Sequence, residues 1–464
     1  MKKASVLVAI FVVGSLLSLG LTFVPEATAT VFYVGGAGPG NHTTIQEAID
    51  DASPGDTVYV FGGIYHENVI VNKTLSLVGD DMDAVTIDGN ETGDVVHVSA
   101  DWVDITGFTV RNSSRSLELF PHFAGVRLDS VTNCRISNSN ISDNEYGVLV
   151  VNSSGIVIAE NVVTSNYKEG IAVTYSGNST VSGNHVSDNW GVGIFILDSD
   201  TNAIVNNTVS ANTRGILLYS SWLNNVTHNS VSSLEIGINV RFSNTNSVFR
   251  NSVSGNGDYG IYVWQSKANT FSYNSVSNSG SGIYLGLSEG NTVSDSNLSH
   301  NDVGVVLEDS ENNTIARNTI LSNAMYGVYL NQSANNRIFL NDFVDNAEQA
   351  FDDNGGNQWD RGYPLGGNYW SDYVGMDKKG GPNQDEPGSD GIGDIPYEID
   401  ADTSDAYPLV RFPQGEEVSE ESIFEQAWFW AAVAVGVAVI LLVVLSLVRR
   451  RKGKQREGEP PETK

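Results

Sequence analysis

The chain has 464 residues and a formal net charge of −30, because 55 acidic side chains outnumber 25 basic ones. Such an acidic surface repels phosphate backbones, so we expect no nucleic-acid partner. The single cysteine, Cys134, excludes an intramolecular disulfide, and packing and hydrogen bonds must hold the fold together.

Residues 1–29 have the pattern of a secretory signal peptide. Lys2 and Lys3 precede a long apolar run, and Ala27 and Ala29 form a small-residue cleavage pattern. Because the apolar run is long for a signal peptide, an uncleaved N-terminal anchor stays an alternative. Either interpretation predicts that the chain is exported.

Residues 30–351 have the pattern of one elongated body. The run from Ile45 to Ala52 has helical spacing and predicts a short N-terminal lid. Short runs rich in β-branched residues follow, such as 57–60 and 85–87, and these predict strands.

A glycine followed by Ile or Val then recurs ten times, at intervals of 22 or 23 residues. Three short runs of alternating apolar residues follow each glycine and end at Gly, Asn or Ser. A fixed period of this length indicates stacked units. Three strands per unit predict an all-β fold, a right-handed parallel β-helix with three sheets and about thirteen coils. The glycines are Gly125, Gly147, Gly170, Gly193, Gly215, Gly237, Gly260, Gly282, Gly304 and Gly327.

Asparagine dominates three positions of the repeat, nine, fourteen and nineteen residues after the glycine, as in Asn202, Asn207 and Asn212. Asn tolerates the left-handed backbone of a sharp turn, and its amide can bond to the same amide one coil above. We therefore interpret the asparagine rows as scaffold and not as a ligand site.

The first strand of each coil carries the best candidates for ligand binding. Its residues two and four positions after the glycine should point outward, and many of them are aromatic. Exposed aromatic rings in a row suit the apolar faces of sugar rings. The alternative is that they shield the sheet or pack beneath a loop or a partner. The candidates are Phe195, Tyr219, Arg241, Tyr262, Trp264, Tyr284 and Tyr329.

The outward acids do not predict a catalytic pair. Glycoside hydrolysis requires two carboxylates roughly 5–10 Å apart. Asp198 and Asp309 stand five coils apart, about 24 Å at the usual strand spacing. Glu308 and Asp309 are neighbours whose side chains diverge in a regular strand, and Asp129 stands alone. We therefore assign no catalytic residue and favour a protein that is not an enzyme.

Residues 352–413 change in composition and predict a separate C-terminal cap, acidic and rich in Gly, Pro and aromatic residues. Aromatic side chains there can pin the cap to the last coil. The oxygen-bearing side chains in its middle could also hold a calcium ion, although their spacing is not that of an EF-hand. These calcium candidates are Asp377, Asn383, Asp385, Asp390 and Asp394.

The remaining residues predict a membrane anchor. A linker, 414–426, precedes an apolar stretch at 427–448 that is long enough to cross a bilayer as a helix. The tail, 449–464, starts with four basic residues, which is typical of the cytoplasmic side. We therefore predict a single-pass protein of the cell membrane with its body outside and its tail in the cytoplasm.

Several segments resemble known proteins. The segments 44–50 (TIQEAID), 55–58 (GDTV) and 63–68 (GIYHEN) resemble the opening of pectin-lyase-like β-helix proteins. With the glycine repeat, and with 366–372 (GGNYWSD) and 390–397 (DGIGDIPY), the chain is most similar to the periplasmic copper-binding NosD family and its archaeal cell-surface relatives. The resemblance implies the fold but not one activity, because lyases, hydrolases, epimerases and non-enzymatic surface proteins share this repeat.

Copper, which the family name implies, does not carry over to particular residues. A copper site needs clustered His, Met or Cys, whereas the seven histidines and four methionines are scattered over the chain. We therefore do not expect copper.

Three functions remain in view. The first is a membrane-anchored surface protein that binds polysaccharide or a surface glycoprotein. The second is a polysaccharide lyase or hydrolase of the pectin-lyase-like class, and the third is a copper-binding accessory protein of the NosD type.

Overall fold

A computed structural model describes residues 29–116, 122–353 and 355–410. The predicted signal peptide, apart from its last residue, lies outside these ranges, as do the predicted linker, transmembrane helix and basic tail. Among the described residues, no helix combines the length and the apolar character that crossing a bilayer requires.

The N-terminal end of the body is covered by the helix α1, Ile45–Asp51. Thr44 caps it, because its hydroxyl accepts a hydrogen bond from the backbone N–H of Glu47 at 3.2 Å. Ile45 and Ile49 are fully buried against the first strands. A helix thus lies where the sequence predicts a lid, and it packs against strands at the N-terminal end of the stack.

The body is a stack of coils, and each regular coil contributes one strand to each of three ladders, here sheets A, C and B in chain order. All pairings within these ladders are parallel. Sheet A has fourteen strands, against the roughly thirteen coils predicted. Its strands are Val31–Val34, Thr57–Val60, Ser76–Gly79, Asp104–Thr106, Arg135–Ser137, Val157–Ala159, Thr180–Ser182, Ala203–Val205, Asn225–Thr227, Ser247–Phe249, Thr270–Ser272, Thr292–Ser294, Thr314–Ala316 and Arg337–Phe339.

Sheets B and C join into one 25-stranded sheet, because Thr208–Tyr219 and Ser230–Arg241 run through both. The other strands of sheet B are Val69–Val71, Val96–Val98, Ala124–Asp129, Tyr146–Val151, Ile171–Thr174, Val192–Leu197, Tyr259–Trp264, Ser281–Gly286, Val303–Glu308, Tyr326–Asn331 and Glu348–Asp352. The other strands of sheet C are Gly63–His66, Val85–Asp88, Thr109–Arg111, Asn140–Ser142, Val162–Thr164, His185–Ser187, Ser252–Ser254, Ser275–Ser277, Asn297–Ser299, Thr319–Leu321, Asp342–Val344 and Tyr369–Trp370.

The core is a column of aliphatic side chains enclosed by the three sheets. Residues one coil apart lie in register, as in Val181, Ile204 and Val226 of sheet A, which are at most 1% exposed. Stacking like residues buries a continuous apolar surface that no single coil could bury alone. The predicted parallel β-helix is confirmed.

The asparagine rows are buried inside the corners of the coils. The Asn207 amide oxygen accepts from the backbone and the amide N–H of Asn184, both at 3.0 Å. Its amide nitrogen donates to the Val181 carbonyl at 2.9 Å and to Asn229 at 3.0 Å. Each Asn thus satisfies backbone groups that the bend leaves without strand partners.

The backbone role predicted for these asparagines is wrong. The left-handed residue is the one before each row member, as in Asn206, whose φ is 54°. His228, Arg250 and Tyr273 take the same place in later coils with φ from 53 to 56°. The rows are therefore Asn because of side-chain hydrogen bonding, and the turn itself accepts many residue types.

The repeat glycines are required by close packing between coils. A side chain at Gly215 would place its Cβ 2.4 Å from the Gly237 carbonyl oxygen and 2.4 Å from Val231. Real Cβ atoms do not approach other atoms so closely, and Gly is the residue that lets two backbones come together. The same conflict recurs along the row, which explains the period.

The described part of the cap, 355–410, closes the C-terminal end of the stack. Trp370 stacks on core Phe343 at 4.3 Å and on Tyr397 at 4.1 Å between ring centroids, and Trp359 packs beside them. The buried Asp405 carboxylate accepts from the Trp370 indole at 3.0 Å. Two small antiparallel pairs complete the cap, Lys379–Gly380 with Glu386–Pro387 and Tyr397–Glu398 with Ser404–Asp405.

Candidate functional site

The seven predicted ligand-binding residues all lie on the outer face of sheet B. Tyr284 is 9% exposed, and the other six are half-buried. They do not form one continuous row, because Leu217 and Asn239 interrupt the aromatic residues along the face. The structure gathers Tyr262, Trp264 and Tyr284 into one group with Arg241 beside it, and leaves Phe195, Tyr219 and Tyr329 apart.

We call these three aromatic residues, together with the neighbouring Tyr259, the aromatic patch; its members are Tyr259, Tyr262, Trp264 and Tyr284. The rings of Tyr262 and Tyr284 stack at 5.1 Å and 6° between their planes. The Tyr262 and Trp264 rings, with centroids 6.1 Å apart, are also nearly parallel, at 7° between their planes. Trp264 can lie across the next coil because its partner there is Gly286, where a Cβ would be 2.6 Å from the indole.

Polar groups flank the aromatic patch on both sides. The Arg241 guanidinium lies 5.8 Å from the centroid of the Tyr262 ring, within reach of a cation–π contact. On the other side the Tyr284 hydroxyl donates to the Glu308 carboxylate. Burial, and secondly this hydrogen bond, raise the pKa of Tyr284, so that its hydroxyl stays protonated. The result is an apolar platform between a cation and a carboxylate.

Two residues of this region were not predicted. Tyr259, which stands just before the glycine of its coil, packs 4.8 Å from Tyr262 and 5.2 Å from Tyr284. Asn239 is fully buried next to Tyr262, and neither amide atom has a hydrogen-bond partner among the described residues. Tyr259 could have been found from the sequence, because it stands directly before a repeat glycine. No sequence pattern marks Asn239.

The other candidates lie in different surroundings. Tyr219 packs edge-on against Phe242 at 5.2 Å, and Tyr329 stacks on Phe351 at 5.0 Å. Phe195 lines a cavity nearer the N-terminal end of the same face. Tyr219 and Tyr329 therefore pack with rings outside the aromatic patch.

The outward acids are dispersed as the sequence predicts. Asp198 and Asp309 occupy left-handed turns with φ of 45° and 48°. Asp129 pairs with Arg127 at 3.1 Å, and Glu308 accepts from Tyr284. None of these contacts joins two of the four carboxylates.

Three of the five calcium candidates, Asp377, Asp390 and Asp394, accept hydrogen bonds from the backbone of a loop of the cap. Asp377 accepts from the backbone N–H groups of Asp390 and Gly391 at 3.0 and 2.9 Å. Asp394 accepts from those of Lys378 and Lys379 at 3.0 and 2.9 Å. No group of three or more His, Cys, Asp or Glu is placed to hold a metal ion within the described ranges. Asn383 and Asp385, both exposed, are not brought into a ligand set.

Comparisons with known families agree with this fold. Residues 235–375 match the family model described as periplasmic copper-binding protein (NosD), and residues 124–276 match the one described as right handed beta helix region. The predicted resemblance to right-handed β-helix proteins of the NosD type is thus confirmed.

Individual proteins are similar over shorter stretches or at low identity. A cell surface glycoprotein of Methanothermus fervidus is 32% identical over 103 residues, which are 22% of this chain and 16% of that protein. The match therefore spans less than a fifth of the relative's length.

Among solved structures, the Agl-KA catalytic domain is 14% identical, with a TM-score of 0.50 over 70% of this chain and 68% of the other. The A-module of the mannuronan C-5 epimerase AlgE6 of Azotobacter vinelandii is 17% identical, with a TM-score of 0.49 over 68% and 93%. At such identities the likeness concerns the fold alone.

Proposed function

We propose that the protein is a cell-surface β-helix that binds polysaccharide on the outer face of sheet B. The observation that carries the proposal is the stack in which the Tyr262 ring lies at 6° to the Tyr284 ring and at 7° to the Trp264 ring. Aromatic side chains on the outer face of a sheet can contact the apolar face of a sugar ring, and flanking polar groups can bond to its hydroxyls. Arg241 and Glu308 supply such groups on either side.

The surface location rests on two supports. The stretch 427–448 and the signal-like N-terminus predict an exported, membrane-anchored chain. The relative from Methanothermus fervidus is a cell surface glycoprotein by name. The same platform could receive a sugar chain of a surface glycoprotein, since both ligands present sugar rings.

A binding role fits the site better than catalysis. The Glu308 carboxylate accepts a hydrogen bond from the Tyr284 hydroxyl of the patch. Hydrolysis through a carboxylate pair would need a second one roughly 5–10 Å away. The Glu308 carboxylate is instead held in a hydrogen bond to a tyrosine of the patch.

The proposal is tested with the full-length protein in detergent on a glycan array and by co-sedimentation with insoluble polysaccharides. Tyr262→Ala and Trp264→Ala should each weaken binding about tenfold or more, as expected for central aromatic contacts. Phe249→Ala is the matched control, because Phe249 is a half-buried aromatic residue in sheet A. Unchanged binding in both patch variants, or equal loss in the control, contradicts the proposal.

A further inference from the structure

A second group of aromatic side chains on the outer face of sheet B has the same arrangement as part of the aromatic patch. We call it the second aromatic group, and it consists of Tyr326, Tyr329 and Phe351. The ring centroids of Tyr329 and Phe351 lie 5.0 Å apart, with 10° between the ring planes. Tyr326 packs against these two rings at 5.2 and 6.0 Å between centroids. All three residues are half-buried, so part of the group stays open to solvent.

Each ring of the second aromatic group has a counterpart in the patch. Tyr259 lies 4.8 Å from Tyr262 and 5.2 Å from Tyr284, and the latter two rings stack at 5.1 Å and 6°. In both places one tyrosine directly precedes a repeat glycine and another stands two residues after it, while the third ring lies one coil further on. Of the ten repeat glycines, Gly260 and Gly327 are the two with tyrosine at both positions.

The fold does not require this recurrence. The same two positions beside other repeat glycines hold unlike residues, for example Glu169 with Ala172 and Ile236 with Asn239. One arrangement of three rings is thus repeated on a face whose residue types otherwise vary. The repetition indicates a role that the two groups share.

The two groups lie on one line parallel to the axis of the stack. Register pairs Tyr262 with Tyr284, Val306 and Tyr329 in successive coils. Tyr262 and Tyr329 are therefore three coils apart, or about 14 Å at the usual strand spacing. Between the groups this line passes over Val306, which is apolar and places no charge there. A linear chain that lies along this face can touch both groups.

We propose that the two groups are two contact points for one extended polysaccharide chain, which runs along sheet B parallel to the axis of the stack. Once the chain is held at one group, contact with the other becomes intramolecular, and this raises the affinity about a hundredfold or more. A disaccharide is too short to touch both groups and gains nothing. This inference rests on the proposed polysaccharide binding and adds the form of the ligand, a long extended chain.

The test is isothermal titration of the full-length protein in detergent with the disaccharide and the hexasaccharide of four series: cellulose, mannan, chitin and polygalacturonate. In a series that binds, the hexasaccharide should bind about a hundredfold or more tightly than the disaccharide. Tyr329→Ala should remove most of this advantage and leave the disaccharide bound, because the patch is intact. Tyr329→Phe keeps the ring and should keep the advantage, as should Phe249→Ala in sheet A.

The outcomes separate this inference from the proposed function. Equal affinity for both lengths, or an advantage of the hexasaccharide that persists in folded Tyr329→Ala, overturns the bridging chain. The patch still stands in that case if Tyr262→Ala weakens binding. If Tyr329→Ala fails to fold, Tyr329→Leu, which keeps apolar bulk without the flat ring, decides in its place. Loss in Tyr329→Ala without loss in Tyr262→Ala removes both the patch and the bridge, and so does the absence of binding in all four series.

Discussion

The same residue type repeats from coil to coil at the corners, whereas the residue type varies on the outer face of sheet B. At the corners one residue type recurs, as in the buried row Asn184, Asn207, Asn229 and Asn251, each bonded to the next. On the outer face the residue changes with every coil. From one coil to the next the same position holds Leu149, Ala172, Phe195, Leu217, Asn239, Tyr262 and Tyr284.

The difference shows which residues the fold requires. Corner residues repeat because every coil leaves the same backbone groups without partners. Residues on the outer face of sheet B are not needed to pair backbone groups. Their type can therefore vary along the rod and form a local surface such as the aromatic patch. The comparison predicts large stability effects in the corners and small ones on the face.

The largest expected effect is at the Asn row. Asn207→Gly removes an amide that joins three coils and leaves several buried groups unpaired, each costing about 1–3 kcal/mol. Asn206→Gly, at the left-handed position with φ of 54°, should be nearly neutral, because Gly adopts that conformation freely. Chemical denaturation of the two variants measures the contrast, and equal stability would contradict the assignment of roles.

A smaller but still clear loss is expected at the repeat glycines. Gly215→Ala forces two coils apart, since its Cβ would meet backbone and side chain at 2.4 Å, and overpacking costs about 1–3 kcal/mol. Gly62→Ala is the control, because its nearest contact would be an ordinary 3.6 Å. Thermal unfolding of both variants would show the difference, and a stable Gly215→Ala would mean that the coils can part easily.

The sequence predicts the repeating architecture of the fold but not how the side chains of neighbouring coils pack at one place on its surface. The period identifies the coils, the three sheets and the outward placement of Tyr262, Trp264 and Tyr284, because all three follow from spacing alone. The sequence pattern leads to the wrong reason for the Asn rows. Two neighbouring residues form each turn, and only the coordinates show which of them has the left-handed backbone. The cavity lined by Phe195 is not predictable in this way, because its walls come from side chains on several coils whose sizes must fit one another.

On the outer face, a substitution can raise stability. Asn239→Leu replaces a fully buried amide whose atoms have no partner among the described residues, and it should gain about 1–2 kcal/mol. Asn225→Leu, at an exposed position of sheet A, should give no such gain. Equilibrium unfolding in urea compares them, and a loss at Asn239 would indicate a partner for its amide.

The smallest effect depends on pH. Burial raises the pKa of Asp342 from 3.8 to about 7. Because the folded state keeps the proton up to about pH 7 and the unfolded state loses it near 3.8, this contribution to stability is full below about pH 4 and is lost as the pH rises from there to about 7. Asp342→Asn should remove this dependence and stabilise the last coils at pH 8 by about 1 kcal/mol, after allowance for solvent screening, with little change at pH 4. Hydrogen exchange at the two pH values measures this, and a gain that is equal at both would contradict it.

The central claim is that polysaccharide binds at the aromatic patch, and hydroxyl-radical footprinting of the full-length protein tests it most directly. With a bound polysaccharide, oxidation of Tyr262 and Trp264 should fall several-fold, while Phe249 and Tyr273 on the sheet A side should be oxidised as in the free protein. Protection of the sheet A pair or of the cap, with the patch oxidised as before, would contradict the account.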